Sequence, residues 1–328
     1  MSELDVDLTM PEGRYKMMFL IRRFETKIKD LFERGSITGT AHLCIGQEAA
    51  AVGAVSASRT DDPIVSSHRG HGHFLARTGA PSDLMAEMMG RISGPCKGRG
   101  GSQHLCDIGR SFYGTNGITG GGIPTATGLG LRQVKTGGGG RAVLCFFGDG
   151  ATNQGTFHES LNMAAIWNLP VVYICENNLY AMSTPVKDSM EIEHVAHRAS
   201  AYSMPGESVD GMDVEAVREA VSEALHKARH GAGPTLIEAR CYRFCGHSRS
   251  DQRAYRTREE EECWESVDPL RVERLRLNKT GTSEKTLKKW ENHLNEIIEE
   301  AYASARNAPR PDRSQVIVSP YHESQNAS

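Results

Sequence analysis

The 328-residue sequence contains no apolar run approaching the roughly 18 to 20 residues that a membrane-spanning helix needs. Its 38 Lys and Arg against 41 Asp and Glu leave a formal charge of −3 and a pI near 6.5. The basic excess that binds phosphate backbones or anionic membranes is therefore missing, and both function classes lose compositional support. The N-terminal stretch MSELDVDLTMPEG has none of the Arg-rich, acid-poor character of a mitochondrial leader. A cytosolic location is expected, in a bacterial or archaeal cell or as a mature form. The eight cysteines are scattered. Cys241 and Cys245 have no second pair at zinc-binding spacing, so reduced core thiols are expected, Cys145 and Cys175 among them. No internal repeat of fixed period is visible.

What is present is an apolar content of 38%, enough for a substantial core in one large α/β domain or two small ones. Residues 141–147 (RAVLCFF) and 171–175 (VVYIC) are short apolar runs of the kind that form buried strands. Between them Phe157, Leu161, Ala164, Ala165 and Trp167 recur at helical spacing until Pro170. A strand-helix-strand crossover puts the carboxyl ends of both strands on one sheet edge. Asp149, in Gly148-Asp149-Gly150, and Asn178, at the end of Glu176-Asn177-Asn178, are therefore expected at one crevice. Further strands are expected at 63–66 and 234–244, with amphipathic helices at 12–34, 47–58, 213–230 and 283–305. The alternation argues for an α/β fold with a doubly wound, mostly parallel sheet.

A carboxylate, an amide oxygen and nearby backbone carbonyls are the oxygen ligands that a hard cation such as Mg2+ takes, with diphosphate oxygens completing the shell. The flanking glycines let the backbone approach phosphates closely. Two rivals stand beside this reading. A bare GDG is an ordinary turn. A dinucleotide-binding turn, and with it a nicotinamide-dependent dehydrogenase, fits Gly148-x-Gly150 and Glu176, but Asn153 stands at the third glycine and Asp149 would repel a pyrophosphate lacking a metal. His68, His71 and His73, read as an extended segment, have no acidic neighbour in sequence, and Arg69 among them opposes a cation. A phosphate-facing role is expected for them in place of a metal site. The glycine-rich stretch 90–123 is a connection of a length that is usually functional or mobile.

GDG, about twenty-six intervening residues and NN resembles the thiamine diphosphate motif, and GDGATNQGTFHESLNMAAIWNLP is similar to the alpha subunit of 2-oxo acid dehydrogenase E1 components. AHLCIGQEAAAVG, HRGHGH, GRISGPCKGRGGSQH, FYGTNGITGGGIP, VDGMD, YRFCGHSRSD and YRTREEE resemble that family in its order, over roughly residues 15 to 270. The resemblance implies a single thiamine diphosphate-binding domain over residues 1–328, of the diphosphate-binding type. It implies Mg2+ on Asp149, Asn178 and the Tyr180 carbonyl. It implies cofactor contacts from His68, Arg69, the backbones of Gly117 and Thr119, Gly150, Ala151 and His247. His247 would exchange protons at the thiazolium end and His42 would contact the 2-oxo acid; His68 stands where the family usually has Tyr. The loop from Ser248 to Arg258 resembles one phosphorylated in mitochondrial pyruvate dehydrogenases. It is one residue shorter and has Ala254 at the second serine position, so phosphorylation is not expected.

The cofactor's aminopyrimidine needs a Glu partner that a diphosphate-binding module does not carry. The resemblance thus implies half an enzyme, completed by a beta subunit in an α2β2 heterotetramer, with a lipoyl-bearing E2 acyltransferase as acceptor. The implied reaction is decarboxylation of a 2-oxo acid. GHSRSD and YRTREEE favour pyruvate, whereas HRGHGH, GGGIP and FFGDGATNQGTFHE lean to cleavage of acetoin. A non-catalytic scaffold subunit is a further alternative, opposed by the presence of Asp149, Asn178 and His247.

Overall fold

The computed structural model describes residue 4, residues 6–248, residues 251–312 and residue 314. Most of the polar C-terminal tail, and Arg249 and Ser250 of the GHSRSD stretch, lie outside the described residues. Pro11, whose missing N–H costs nothing in a first turn, starts α1 (Pro11–Glu33). Its Met18, Ile21, Phe24, Ile28 and Leu31 face the core. Then come α2 (Glu48–Ser56), β1 (Ile64–Val65), α3 (His71–Thr78), α4 (Pro81–Met88), β2 (Phe112–Gly114), α5 (Gly122–Thr136), β3 (Val143–Gly148), α6 (Gly155–Ile166) and β4 (Val171–Asn177). A short ribbon, β5 (Tyr180–Ala181) with β6 (Thr184–Pro185), precedes β7 (Gly206–Asp210), α7 (Val214–Arg229) and β8 (Thr235–Arg240). The last described helices are α8 (Arg258–Ser266), α9 (Pro269–Lys279) and α10 (Glu284–Asn307). Asp213 caps α7 by accepting from the Glu215 amide at 2.9 Å.

Six strands form one sheet in the order β2-β1-β3-β4-β8-β7, every pair parallel. Both faces are covered, which is why β3 reads as a continuous apolar run. Leu144 and Phe146 point to a core shared with α1, α2, α3, α4, α7 and α10; Val143, Cys145 and Phe147 point to a second core under α5 and α6. The fold is the doubly wound α/β sheet that the sequence predicts.

Three segments depart from the sequence reading. The strand expected to reach residue 244 stops at Arg240, because its neighbours β4 and β7 end at Asn177 and Asp210, both opposite Arg240. The glycine-rich stretch 90–123 contains β2, an edge strand of three residues. HRGHGH is not extended throughout, since α3 begins at His71.

Candidate active site

At the carboxyl edge of the sheet, β3 runs into a tight 3₁₀ turn over Asp149–Asn153 before α6, and β4 ends beside it with Gly148 opposite Glu176. The segments following β1, β3, β4 and β8 enclose a cavity of about 240 Å³. Of the residues expected from the sequence, His68, Arg69, Thr119, Asp149, Gly150, Ala151, Asn178, Tyr180 and His247 border this cavity; Gly117 and His42 do not. Open space lies over Gly148, whereas a Cβ on Gly150 would stand 2.6 Å from that of Ala181. The first glycine thus leaves an approach to the crevice, and the second makes room for the β5–β6 ribbon.

The two asparagines after β4 have different duties. Asn177 donates to Glu238 Oε1 at 2.6 Å and accepts from the Leu179 amide at 3.1 Å, which turns the chain out of the strand. Asn178 is buried with its Oδ1 unpartnered, and so is Asp149 with its Oδ2. Burial pushes the Asp149 carboxyl up to about 6; the amides of Asp149 and Asn178 and the charges of Arg243 and Arg69 offset this in part. Two oxygens left without donors at one buried crevice carry a desolvation cost that a hard cation removes. This donor set fits a divalent metal. The Tyr180 hydroxyl donates to Glu260 at 2.8 Å, which takes the side chain toward α8.

His42, His68 and His247 come together from three segments. Their ring centroids are 4.7 Å (His42 to His68), 4.9 Å (His42 to His247) and 5.6 Å (His68 to His247) apart. Arg69 stitches two of these segments, donating through Nη1 to the Leu43 carbonyl and through Nη2 to the His247 carbonyl at 3.3 Å. Burial, reinforced by the Arg69 charge, holds His42 down to about 3, His68 to about 2 and His247 to about 4. All three imidazoles are neutral near pH 7. Their ligand nitrogens lie within 4.8 Å of one another, but the guanidinium groups of Arg69 and Arg243 beside them oppose a cation.

His71 and His73 part from this group, against the phosphate-facing role expected for all of HRGHGH. His71 lies 2.8 Å from Glu25 Oε1 and 2.9 Å from Ser102 Oγ; His73 lies 2.9 Å from Ser66 Oγ and 3.4 Å from Glu176 Oε1. The acidic partners missing nearby in sequence come from α1 and β4, and both rings are fully buried. Glu176 lies beside His73 and also borders the cavity. All eight cysteines are free, and Cys145 and Cys175 sit fully buried in β3 and β4.

Four further residues complete the neighbourhood. Gln47 and Arg243 border the cavity; Gln103 meets His42 Nδ1 at 2.8 Å; Asp251 accepts from the His247 amide at 2.5 Å and from the Tyr255 hydroxyl at 2.6 Å. Arg243 is itself buried, and that burial lowers its pKa to about 10. Only the placement of Arg243 four residues before His247, just past a strand end, was a signal in the sequence; the others are set by loop paths.

A family model described as dehydrogenase E1 component matches residues 15–314. The chain is 43% identical over 312 residues to the alpha subunit of an acetoin:2,6-dichlorophenolindophenol oxidoreductase from Bacillus subtilis strain 168, covering 94% of this chain and 92% of that one. It is 41% identical over 306 residues to the alpha subunit of the pyruvate dehydrogenase E1 component from Rhizobium meliloti strain 1021, covering 93% and 88%. The corresponding subunit from Rickettsia bellii strain RML369-C is 38% identical over 308 residues, 94% of each chain.

Proposed function

This chain belongs to the dehydrogenase E1 component family, and from that premise we propose that it is the alpha subunit of a heteromeric, thiamine diphosphate-dependent enzyme. The enzyme decarboxylates a 2-oxo acid, pyruvate first, and passes the acyl group to the lipoyl group of an E2 partner. The observation that carries the reading is the pair of buried, unpartnered oxygens, Asp149 Oδ2 and Asn178 Oδ1, at the carboxyl edge of β3 and β4. These two residues and the Tyr180 carbonyl would hold Mg2+. Arg69, Gly150 and Ala151 would meet the diphosphate, and Gly117 and Thr119 the aminopyrimidine. When bound, thiamine diphosphate supplies the electron sink that bond cleavage beside a carbonyl requires.

The chain's own part is placement and electrostatics. Arg69 and Arg243 bring positive charge that draws a carboxylate. Neutral His42, His68 and His247 offer hydrogen bonds without adding a charge that would hold a carboxylate in its ground state. The cavity is smaller than the roughly 300 to 1,000 Å³ of ordinary ligand sites. A beta subunit that supplies the second wall and the aminopyrimidine Glu, in an α2β2 assembly, matches that size. No described helix is long and apolar enough to cross a membrane, and we place the assembly in the cytoplasm.

A second reading, cleavage of acetoin, has its own support. The alpha subunit of the acetoin:2,6-dichlorophenolindophenol oxidoreductase is 43% identical to this chain over 312 residues, against 41% over 306 for that of the pyruvate dehydrogenase E1 component. The test is co-expression with the beta subunit encoded nearest to this chain, followed by reductive acylation of a free lipoyl domain with each substrate. Pyruvate turnover is expected. Turnover of acetoin alone would reassign the substrate. Turnover of neither, in an assembly that binds cofactor, would leave a scaffold subunit.

A further inference from the structure

His42 and His247 share a feature that their chain positions conceal. In each ring Nδ1 is met by a group that carries hydrogens: Gln103 Nε2 at 2.8 Å from His42, and Arg243 Nη1 at 3.3 Å from His247. A guanidinium has donors and no acceptor, so it meets an unprotonated Nδ1. The neutral His247 ring then carries its proton on Nε2. An amide can present either end, so the orientation of Gln103 is decided by its surroundings. The structure turns its Nε2 toward His42 and its Oε1 toward Gly117, where an added Cβ would stand only 3.0 Å away.

The backbone under Gln103 is fixed with equal care. Its neighbour Ser102 bonds His71, and His71 bonds Glu25, so a buried chain of three side chains ties α1 and α3 to the loop that delivers the amide. The charged and titratable groups acting on His42 are Arg69, His247, His71 and Arg243, with His68 stacked edgewise on it. Among the described residues the largest charge effects on the ring come from cations and other histidines, and no carboxylate is among them.

We propose that Gln103 and Arg243 are positioning residues that hold His42 and His247 in the Nε2–H tautomer, so that His247, which borders the cavity, presents a neutral N–H donor to the substrate oxygen that gains negative charge, with the neutral His42 ring packed 4.9 Å behind it. The proposal rests on the E1 reading for the identity of that oxygen, while the tautomers stand on this chain alone. Neutral donors stabilise developing charge without surrendering a proton to it, which preserves their state from one turnover to the next. Gln103 acquires a role for which its own contact with substrate is unnecessary, and Gly117 acquires one besides any contact with cofactor.

The test uses the assembled α2β2 enzyme with the alpha chain selectively ¹⁵N-labelled at histidine, read by solid-state NMR. Imine-type Nδ1 and protonated Nε2 are expected for His42 and His247 at pH 7. Gln103→Glu replaces a donor with an acceptor. It should invert the His42 pattern or charge the ring, add an ionisation to the pH profile of kcat, and lower kcat about 10- to 100-fold with KM for thiamine diphosphate little changed. Gln103→Leu should lose less kcat and show mixed tautomers. A protonated Nδ1 on His42 in the unaltered enzyme would overturn the proposal, as would a Gln103→Glu enzyme with full kcat and an unmoved spectrum. The spectrum of the unaltered enzyme decides the tautomer even where a variant fails to assemble. Expected tautomers in an enzyme that turns over neither pyruvate nor acetoin would overturn the proposed substrates and support the tautomer assignment.

Discussion

Asp149 shows how a binding site is held against stability. Its carboxyl is raised from 3.8 to about 6 by burial. A carboxyl whose folded pKa exceeds its unfolded value costs nothing below about pH 4, and the cost grows as pH rises through about 6. At roughly 1.4 kcal/mol per unit the full cost is about 3 kcal/mol. Asp149→Asn, which removes the charge and keeps the shape, should therefore stabilise the cofactor-free protein by about 2 kcal/mol at pH 8 and by little at pH 4. Urea denaturation at the two pH values measures the difference, and a variant less stable than the parent at pH 8 would refute the account. The three histidines run the other way. Their folded pKa values lie below the ordinary 6.5, so their contribution is complete above pH 6.5 and is lost as pH falls toward 4, where the unfolded chain alone takes up protons. His68→Gln should reduce that acid-side loss in the same denaturation series; an unchanged slope would show that His68 is not held neutral by the fold.

Among the elements, the glycine-rich connection after α4 has the least regular structure and one of the most specific anchors. Glu87, buried at the end of α4, accepts the amides of Cys96 and Gly98 on Oε2, both at 2.9 Å, and those of Gly100 and Gly101 on Oε1 at 2.7 and 3.1 Å. A carboxylate with four amide donors organises a segment that has no core of its own. Glu87→Gln turns one acceptor oxygen into an amino group facing two N–H donors. It should cost about 2 to 4 kcal/mol and open the loop that carries Ser102 and Gln103. Hydrogen exchange at Gly98, Gly100 and Gly101 would report this directly, and unchanged protection would mean that the carboxylate is not the anchor. Nothing in GRISGPCKGRGGSQH announces that dependence, because the acceptor sits on the preceding helix. The same limit explains what else the sequence left unread. β3 and β4 were legible as continuous apolar runs because both faces of the sheet are covered, and α7 because burial along one stripe imposes a helical period. β7 is an edge strand whose Gly206, Glu207, Ser208 and Asp210 are exposed, and β2 has three residues, too few for any period. α5 holds Pro124 and several glycines against helix propensity and is fixed by its packing on α6 and β3. In the site, Asp149 and Asn178 were readable from the crossover, whereas Gln103 meets His42 from 61 positions away.

Seen as a whole, the molecule gathers its chemistry on one edge and leaves that edge open. The rim of the cavity includes Ile118 and Met182, large apolar side chains 73% and 63% exposed. Apolar side chains at the mouth of a cavity below the usual volume of a ligand site call for a covering surface. On the proposed reading, thiamine diphosphate with Mg2+ should therefore bind weakly to this chain alone and tightly to its mixture with the beta subunit, which would enclose both ends of the cofactor and add the aminopyrimidine Glu. Calorimetry on the chain, with and without that partner, reads both affinities. Tight binding confined to the mixture and abolished by Asp149→Ala would place the cofactor at an interface, with the metal on this side of it. Tight binding to the chain alone would mean that the 240 Å³ cavity widens to a complete site by itself. The open rim would then be a route for substrate, and the need for a second subunit would have to come from the aminopyrimidine Glu and not from enclosure.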